Sequence, residues 1–315
     1  MRILLELIQY GGVLLVELLV RALPPRAADD LADGAGWLWF TLDRRRRRRA
    51  LASIGVARRG GLAVPDERAL ALAACRSLVR VPVEMLLFGR YIRTERQMLE
   101  RCVYRGDWRR FHQDLAAGRG GLFVSGHLGN WEAAVWGFQF LQVPCRVVVR
   151  PLENRFLDAR ATGTRGGEGG IIPKQGAVRE MLRTAQAGGW VAVMADQNAG
   201  RRGAFVPFFG LEASTSATPA VVAVRAGVPL YAAAILRLPG RPVRFALHLK
   251  RLARPEGAAG DVEAADRLLG AFMRQLETYV RLAPEQYNWV HRRWKTRPPG
   301  EPADRVLPGY AEPSR

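Results

Sequence analysis

Between residues 121 and 282 short apolar runs alternate with amphipathic ones, and this alternation is the strongest constraint on the fold. Leu122-Phe-Val124 follows two glycines and predicts a buried strand; the run from Gly129-Asn130 to about Phe140 predicts a helix. Cys145–Val149 reads as a β-branched strand, Asn154 as the cap of a helix running to Thr162, Gly176–Ala187 as a helix stopped by Gly188, and Trp190–Ala195 as the next strand. Thr218-Pro219 predicts a helix start and Gly227 its end, before strands at Leu230–Leu236 and Val243–Leu249 and a helix over Asp261–Leu282. Such a chain is α/β, with a mostly parallel central sheet covered by helices. Ligand sites of such sheets gather at the carboxyl ends of the strands, where His127, Arg150 and Asp196 all fall.

Upstream, residues 66–114 read as helices broken near Pro82 and Gly106, with Gly118 as the stop before the Leu122 strand. Met1–Leu23 is the most apolar stretch, but Glu6 and Glu17 interrupt it. On a helix Arg2, Glu6, Gln9, Glu17 and Arg21 share an arc of roughly 120 degrees, which suits a helix lying in the membrane interface or against its own domain. The interruption at Glu6 and the lack of a small-x-small cleavage site disfavour a signal peptide. The expected division is residues 1–25 as a membrane-anchoring helix, 26–297 as the main domain and 298–315 as a loosely held tail.

The net charge of +19 calls for an anionic partner. No zinc-finger, RNA-recognition or basic-zipper pattern appears, so nucleic acid is not expected. Six consecutive arginines, Arg44–Arg49, follow Trp37-Leu-Trp39; beside an apolar helix they point to anionic lipid head groups and to the cytoplasmic side of a membrane. Cys75, Cys102 and Cys145 are too few and too scattered for a disulfide framework or a metal site, and no metal is expected.

Of the four histidines only His127 is followed five positions on by an acid, Glu132. At a strand-to-helix corner this spacing can make a general base with an orienting carboxylate; it is equally compatible with a capping histidine satisfied by a backbone carbonyl. No Gly-x-Ser-x-Gly elbow or plausible nucleophilic cysteine accompanies it, and Ser125 is not assigned as a nucleophile. Phe205, Phe208 and Phe209 can line an apolar slot, an acyl slot on the resemblance given below, or belong to plain core. Trp289, His291, Arg292, Arg293 and Lys295 can bind phosphates or an acidic carrier protein, or form a basic helix end.

Ser125-Gly-His-Leu-Gly-Asn-Trp-Glu132 resembles the His-x4-Glu signature of the bacterial lipid A late acyltransferases, within the lysophospholipid acyltransferase superfamily. Arg150-Pro151 with Asn154, the run Gly188–Gln197, Phe205-Val-Pro-Phe-Phe-Gly210 and Gln286–Lys295 agree in order, so the resemblance covers roughly residues 5 to 297. It implies direct acyl transfer, without an acyl-enzyme, from acyl carrier protein or coenzyme A to a hydroxyl of a lipid A precursor. His127 is then the base, Glu132 its orienter, and no resident cofactor is needed. The resemblance also implies an arginine assisting at the reacting carbonyl or an acceptor phosphate, Arg165 with Arg160 as its rival. It places Asp196-Gln197, with Arg150, in acceptor binding. Acyl carrier protein, anionic membrane lipids and a glycolipid acceptor are the expected partners, at the cytoplasmic face of the bacterial inner membrane. Transfer to a phosphatidylinositol mannoside or a lysophospholipid is the nearest alternative; a non-catalytic membrane-binding protein on the same fold would tolerate loss of His127 or Glu132, and both are present.

Overall fold

A computed structural model describes residues 2–164, 166, 170–240, 243–253 and 261–301. In chain order the elements are α1 (Arg2–Ala22), α2 (Pro25–Leu42), α3 (Arg44–Arg59), α4 (Glu67–Tyr91), α5 (Glu95–Arg101), β1 (Cys102–Gly106), α6 (Trp108–Ala116), β2 (Gly121–Ser125), α7 (Ala133–Phe140) and β3 (Cys145–Val149). There follow α8 (Arg155–Thr164), β4 (Ile171–Pro173), α9 (Ala177–Gln186), β5 (Trp190–Met194), β6 (Ala204–Phe208), β7 (Leu211–Thr215), α10 (Thr218–Ala226), β8 (Leu230–Leu238), β9 (Arg244–Ala253) and α11 (Val262–Leu282).

The central sheet has the order β1-β9-β8-β2-β5-β3-β4. Its pairs are parallel except β8 with β9, so the mostly parallel α/β architecture expected from the alternation is the one observed. The period of two in each strand sorts its side chains onto two faces. Leu122, Val124 and Val191 pack with residues of α9, α10 and α11, while Phe123, Trp190 and Tyr231 face Phe111 of α6. Phe123 stacks between Trp190 and Phe138 of α7, with ring centroids 4.8 and 5.0 Å away.

The start signals work through named atoms. Asn154 Oδ1 accepts from the backbone N–H groups of Phe156 and Leu157, Asp261 Oδ1 from that of Ala264, and Gly227 closes α10 at φ 65°.

Two expectations upstream need correction. Cys102–Gly106, read as helical, is an edge strand, because its partner Phe245–Leu249 lies far along the chain. Gly106 turns the chain at φ +94°, where an added Cβ would meet the Leu249 carbonyl oxygen at 2.0 Å, so only glycine fits. Pro82 does not break α4. An interior proline costs about 3 kcal/mol, and burial of Val83 and Leu87 against Ala28 and Ala32 of α2 offsets it.

Helix α1 lies along the domain. Asn154 Nδ2 donates to the Glu6 carbonyl at 2.8 Å and to Gln9 Oε1 at 3.1 Å, and Arg160 binds the Glu17 carboxylate at 2.5 to 3.1 Å. Its acidic and amide stripe therefore faces the protein, while Ile3, Leu4, Ile8, Leu15 and Leu18 stay exposed. Among the described residues it is the one helix long and apolar enough to cross a membrane. The arginine run opens α3, capped by Asp43, whose side chain accepts from Arg46 N. Arg47 turns back to donate to the Phe40 and Thr41 carbonyls, whereas Arg44, Arg45, Arg46 and Arg48 are exposed. The tail expected over residues 298–315 lies outside the described residues beyond 301.

Candidate active site

Strand register builds the site. Ser125 pairs with Met194, and Ala195 N continues the ladder by donating to the Ser125 carbonyl at 2.9 Å. The residues just past the carboxyl ends of β2 and β5 are thereby side by side. His127 Nδ1 lies 2.7 Å from Asp196 Oδ1, and the His127 backbone N–H donates to Asp196 Oδ2 at 2.8 Å. Burial pushes the Asp196 carboxyl up, but His127 and its two hydrogen bonds outweigh it and hold the group below the usual carboxylate range. Burial likewise depresses the imidazole, and Asp196, helped by the charge of Glu132, raises it above the ordinary histidine value. With Asp196 ionised the proton sits on Nδ1, which leaves a lone pair on Nε2.

The turn after His127 is fixed by backbone geometry. Gly129, at φ +66°, crosses β8 so closely that a Cβ there would lie 1.8 Å from the Ile235 carbonyl oxygen. Asn130, fully buried, caps α7 by accepting from Ala133 N and donates from Nδ2 to Glu84 Oε2 at 2.7 Å. Glu84 in turn binds Arg237 Nε, and Arg237 Nη1 donates to Ser77 Oγ. Removing one partner of such a buried pair costs about 3–5 kcal/mol, so α4 and β8 are firmly tied to the turn that carries His127. Sequence reasoning missed this network, whose members are separated by up to 160 residues.

His127, whose Nε2 lies 3.4 Å from Gln197 Nε2, borders a cavity of about 520 Å³ lined by the Phe123 face of the sheet, by helices α6 and α7 and also by Val148, Val193 and Met181. Its walls are apolar, with Phe138, Leu141, Val143, Leu247 and Leu249 among them, and its polar groups include His127, Glu132, Arg150, Lys174, Gln197 and Asn198. The His127 side chain keeps 21% of its surface exposed there, enough for a ligand to reach the ring. Trp131 stands edge-on to it at 5.1 Å.

Several expected roles change. Glu132 sits at the N-cap of α7 and borders the cavity, but the carboxylate on Nδ1 is that of Asp196, because β5 lies next to β2; Glu132 acts on the ring through its charge. Asp196, assigned to acceptor binding, has both oxygens engaged by His127 and is 2% exposed; its neighbour Gln197 borders the cavity instead. Arg150 borders the cavity one residue past β3, as its strand-end position predicted. Arg165 lies outside the described residues. Arg160 is turned to Glu17 of α1 rather than to the cavity.

Phe205, Phe208 and Phe209 do not border the His127 cavity. They belong to the β6–β7 hairpin, where Phe208 and Phe209 are buried core and Phe208 stacks on Trp294 at 5.7 Å. Ser125 borders the cavity, and its hydroxyl donates to the Ala233 carbonyl at 2.7 Å. The aromatic and basic segment near residue 290 is not a helix end: Trp289, Arg293 and Trp294 are buried, and Arg293 Nη1 donates to the Ser214 carbonyl, whereas Arg292 is half-buried and Lys295 exposed. Among the described residues no group of three or more His, Cys, Asp or Glu side chains could hold a metal.

A family model for bacterial lipid A biosynthesis acyltransferase matches residues 2–296. The chain is similar to the lipid A biosynthesis lauroyltransferase of Escherichia coli (strain K12), 26% identical over 186 residues, 59% of each chain. It is also 30% identical over 162 residues, 50% of each chain, to the lipid A biosynthesis palmitoleoyltransferase of the same strain and to a lipid A biosynthesis acyltransferase of Shigella flexneri. The matched stretch thus spans from 50% to 59% of the length of these curated relatives. The match to the family over residues 2–296 places this chain in the bacterial lipid A biosynthesis acyltransferase family.

Proposed function

We propose that the protein is a membrane-associated O-acyltransferase that moves a fatty acyl group from the thioester of acyl carrier protein, or of coenzyme A, to a hydroxyl of a lipid A precursor. The observation that carries this reading is His127, anchored by Asp196 and bordering a largely apolar cavity. Nε2 takes the acceptor hydroxyl proton as the oxygen attacks the thioester carbonyl. The tetrahedral intermediate then collapses, the carbon–sulfur bond breaks, and the leaving thiolate recovers the proton from the imidazolium. Asp196 and Glu132 together stabilise that imidazolium. The apolar walls take the acyl chain, and Arg150 and Arg165 supply positive charge for the oxyanion or an acceptor phosphate.

The exposed apolar face of α1 and the exposed arginines of α3 support docking on an anionic bilayer at the cytoplasmic face of the inner membrane. Mass spectrometry of lipid A from cells with and without the gene tests the acceptor. Loss of one acyl chain on deletion is expected; an unchanged lipid A overturns the assignment.

A further inference from the structure

The segment from Gln286 to Thr296 crosses both halves of the site. On the histidine side, the Gln286 carbonyl accepts from Gly129 N at 3.0 Å, and Asn288 N donates to the His127 carbonyl at 3.0 Å. On the aspartate side, the backbone N–H of Asn198 donates to His291 Nε2 at 2.9 Å. The Asn198 side chain exchanges two further bonds with Thr296, from Nδ2 to Thr296 Oγ1 at 3.0 Å and from Thr296 N to Asn198 Oδ1 at 3.2 Å. The strap is itself pinned. Trp289 Nε1 donates to the Pro284 carbonyl at 2.7 Å, Trp294 Nε1 to that of Leu211 at 3.2 Å, and Arg293 to the Ser214 carbonyl and Thr215 Oγ1.

We propose that His291 is a positioning residue for the reaction, a neutral acceptor that holds the Asn198 backbone and thereby keeps the Asp196 carboxylate, two residues earlier, aligned on His127. The inference rests on reading His127 and Asp196 as the base and its partner.

The ring is suited to the task. Burial pushes its proton affinity down to about 4, against the pull of Asp196 and with the positive charge of protonated His127, Arg293 and Arg292. His291 is therefore uncharged near neutral pH, and Nε2 keeps the lone pair that the Asn198 N–H needs. Without that acceptor the N–H is unsatisfied and part-buried, and the Asp196-Gln197-Asn198 turn relaxes to find another partner. A misplacement of about 1 Å at a reacting group can cost about 10²-fold in rate.

The test is kcat and KM for acyl transfer as a function of pH in the full-length protein. His291→Leu removes the acceptor; His291→Gln keeps one at the same reach. His291→Leu is expected to lower the kcat plateau by about 10-fold to 10²-fold with KM nearly unchanged. Its ascending limb should also move to lower pH, because Asp196 no longer raises His127 fully. His291→Gln should recover both the plateau and the limb. A folded His291→Leu with the wild-type plateau and limb overturns the proposal, and so does an equal loss in both variants with an unmoved limb, which is the behaviour of a packing residue. Should His291→Leu fail to fold, Thr296→Val removes the hydroxyl that accepts from Asn198 Nδ2, leaving the Thr296 N–H on Asn198 Oδ1, and should shift the same limb in the same direction by less; a wild-type profile there overturns the proposal. Asp196→Asn is measured alongside: if it keeps the wild-type limb, the underlying dyad fails, whatever His291 does.

Discussion

Both carboxylate oxygens of Asp196 are held by one residue, His127, Oδ1 by ring Nδ1 at 2.7 Å and Oδ2 by the backbone N–H at 2.8 Å. The carboxylate therefore fixes the turn that carries the ring as well as the ring itself.

The pair sets a pH dependence. On the proposed mechanism the base must be neutral, and the proton affinity of His127 is raised, so the rate should climb with pH through a value above the ordinary histidine range near about 6.5. Stability runs the other way. A group whose folded value is raised contributes stability that is complete below its unfolded value and is lost as pH rises through the folded one. Single-turnover rates and melting temperatures across the same pH series should thus move in opposite directions through the His127 titration. Glu132→Gln should shift the rate limb to lower pH by less than Asp196→Asn does, since its charge raises the ring less.

The position of the cavity predicts which substitutions change chain-length preference. Ala134, on α7, borders it, so Ala134→Phe should shorten the preferred acyl chain. Phe205 lies on β6 in the separate hairpin, so Phe205→Leu should leave the preference unchanged. Mass spectrometry of the products from an equimolar mixture of donors with different chains reads both.

Arg160 holds α1 to α8 through Glu17, and Arg21 shares that carboxylate. Arg160→Ala should cost about 1 kcal/mol, because the guanidinium is partly exposed, and should speed proteolysis between α1 and α2. Turnover in detergent should stay within a few-fold of wild type. A loss of about 10²-fold would instead place Arg160 at the reacting carbonyl.

Local features were legible in the sequence because local physics encodes them. The strand-to-helix corner at His127, the Asn154 cap and the Gly227 stop each rest on a few adjacent residues. The partner of His127 was not legible in this way. Asp196 was recognised as a strand-end residue, but its meeting with His127 depends on β5 lying between β2 and β3, an order that no local pattern contains. Glu132, five residues on, was the partner that spacing alone offered. The aromatic run at Phe205–Phe209 misled for the same reason: Phe208 and Phe209 pack with Tyr287, Trp289 and Trp294, far along the chain. The His127 cavity is instead walled by strand residues such as Phe123 and Leu249, indistinguishable in sequence from ordinary core.

The central claim is that His127 and Asp196 act as one unit, and a double-mutant cycle in single-turnover acyl transfer measures it. Asp196→Asn should lower the rate by about 10³-fold or more, as loss of the orienting carboxylate does in such pairs. His127→Ala should be at least as damaging. Because Asp196 acts through the ring, the double variant should be no slower than His127→Ala alone, with circular dichroism confirming that each variant is folded. Losses that multiply in the double variant would contradict the account, since Asp196 would then act on the reaction independently of His127.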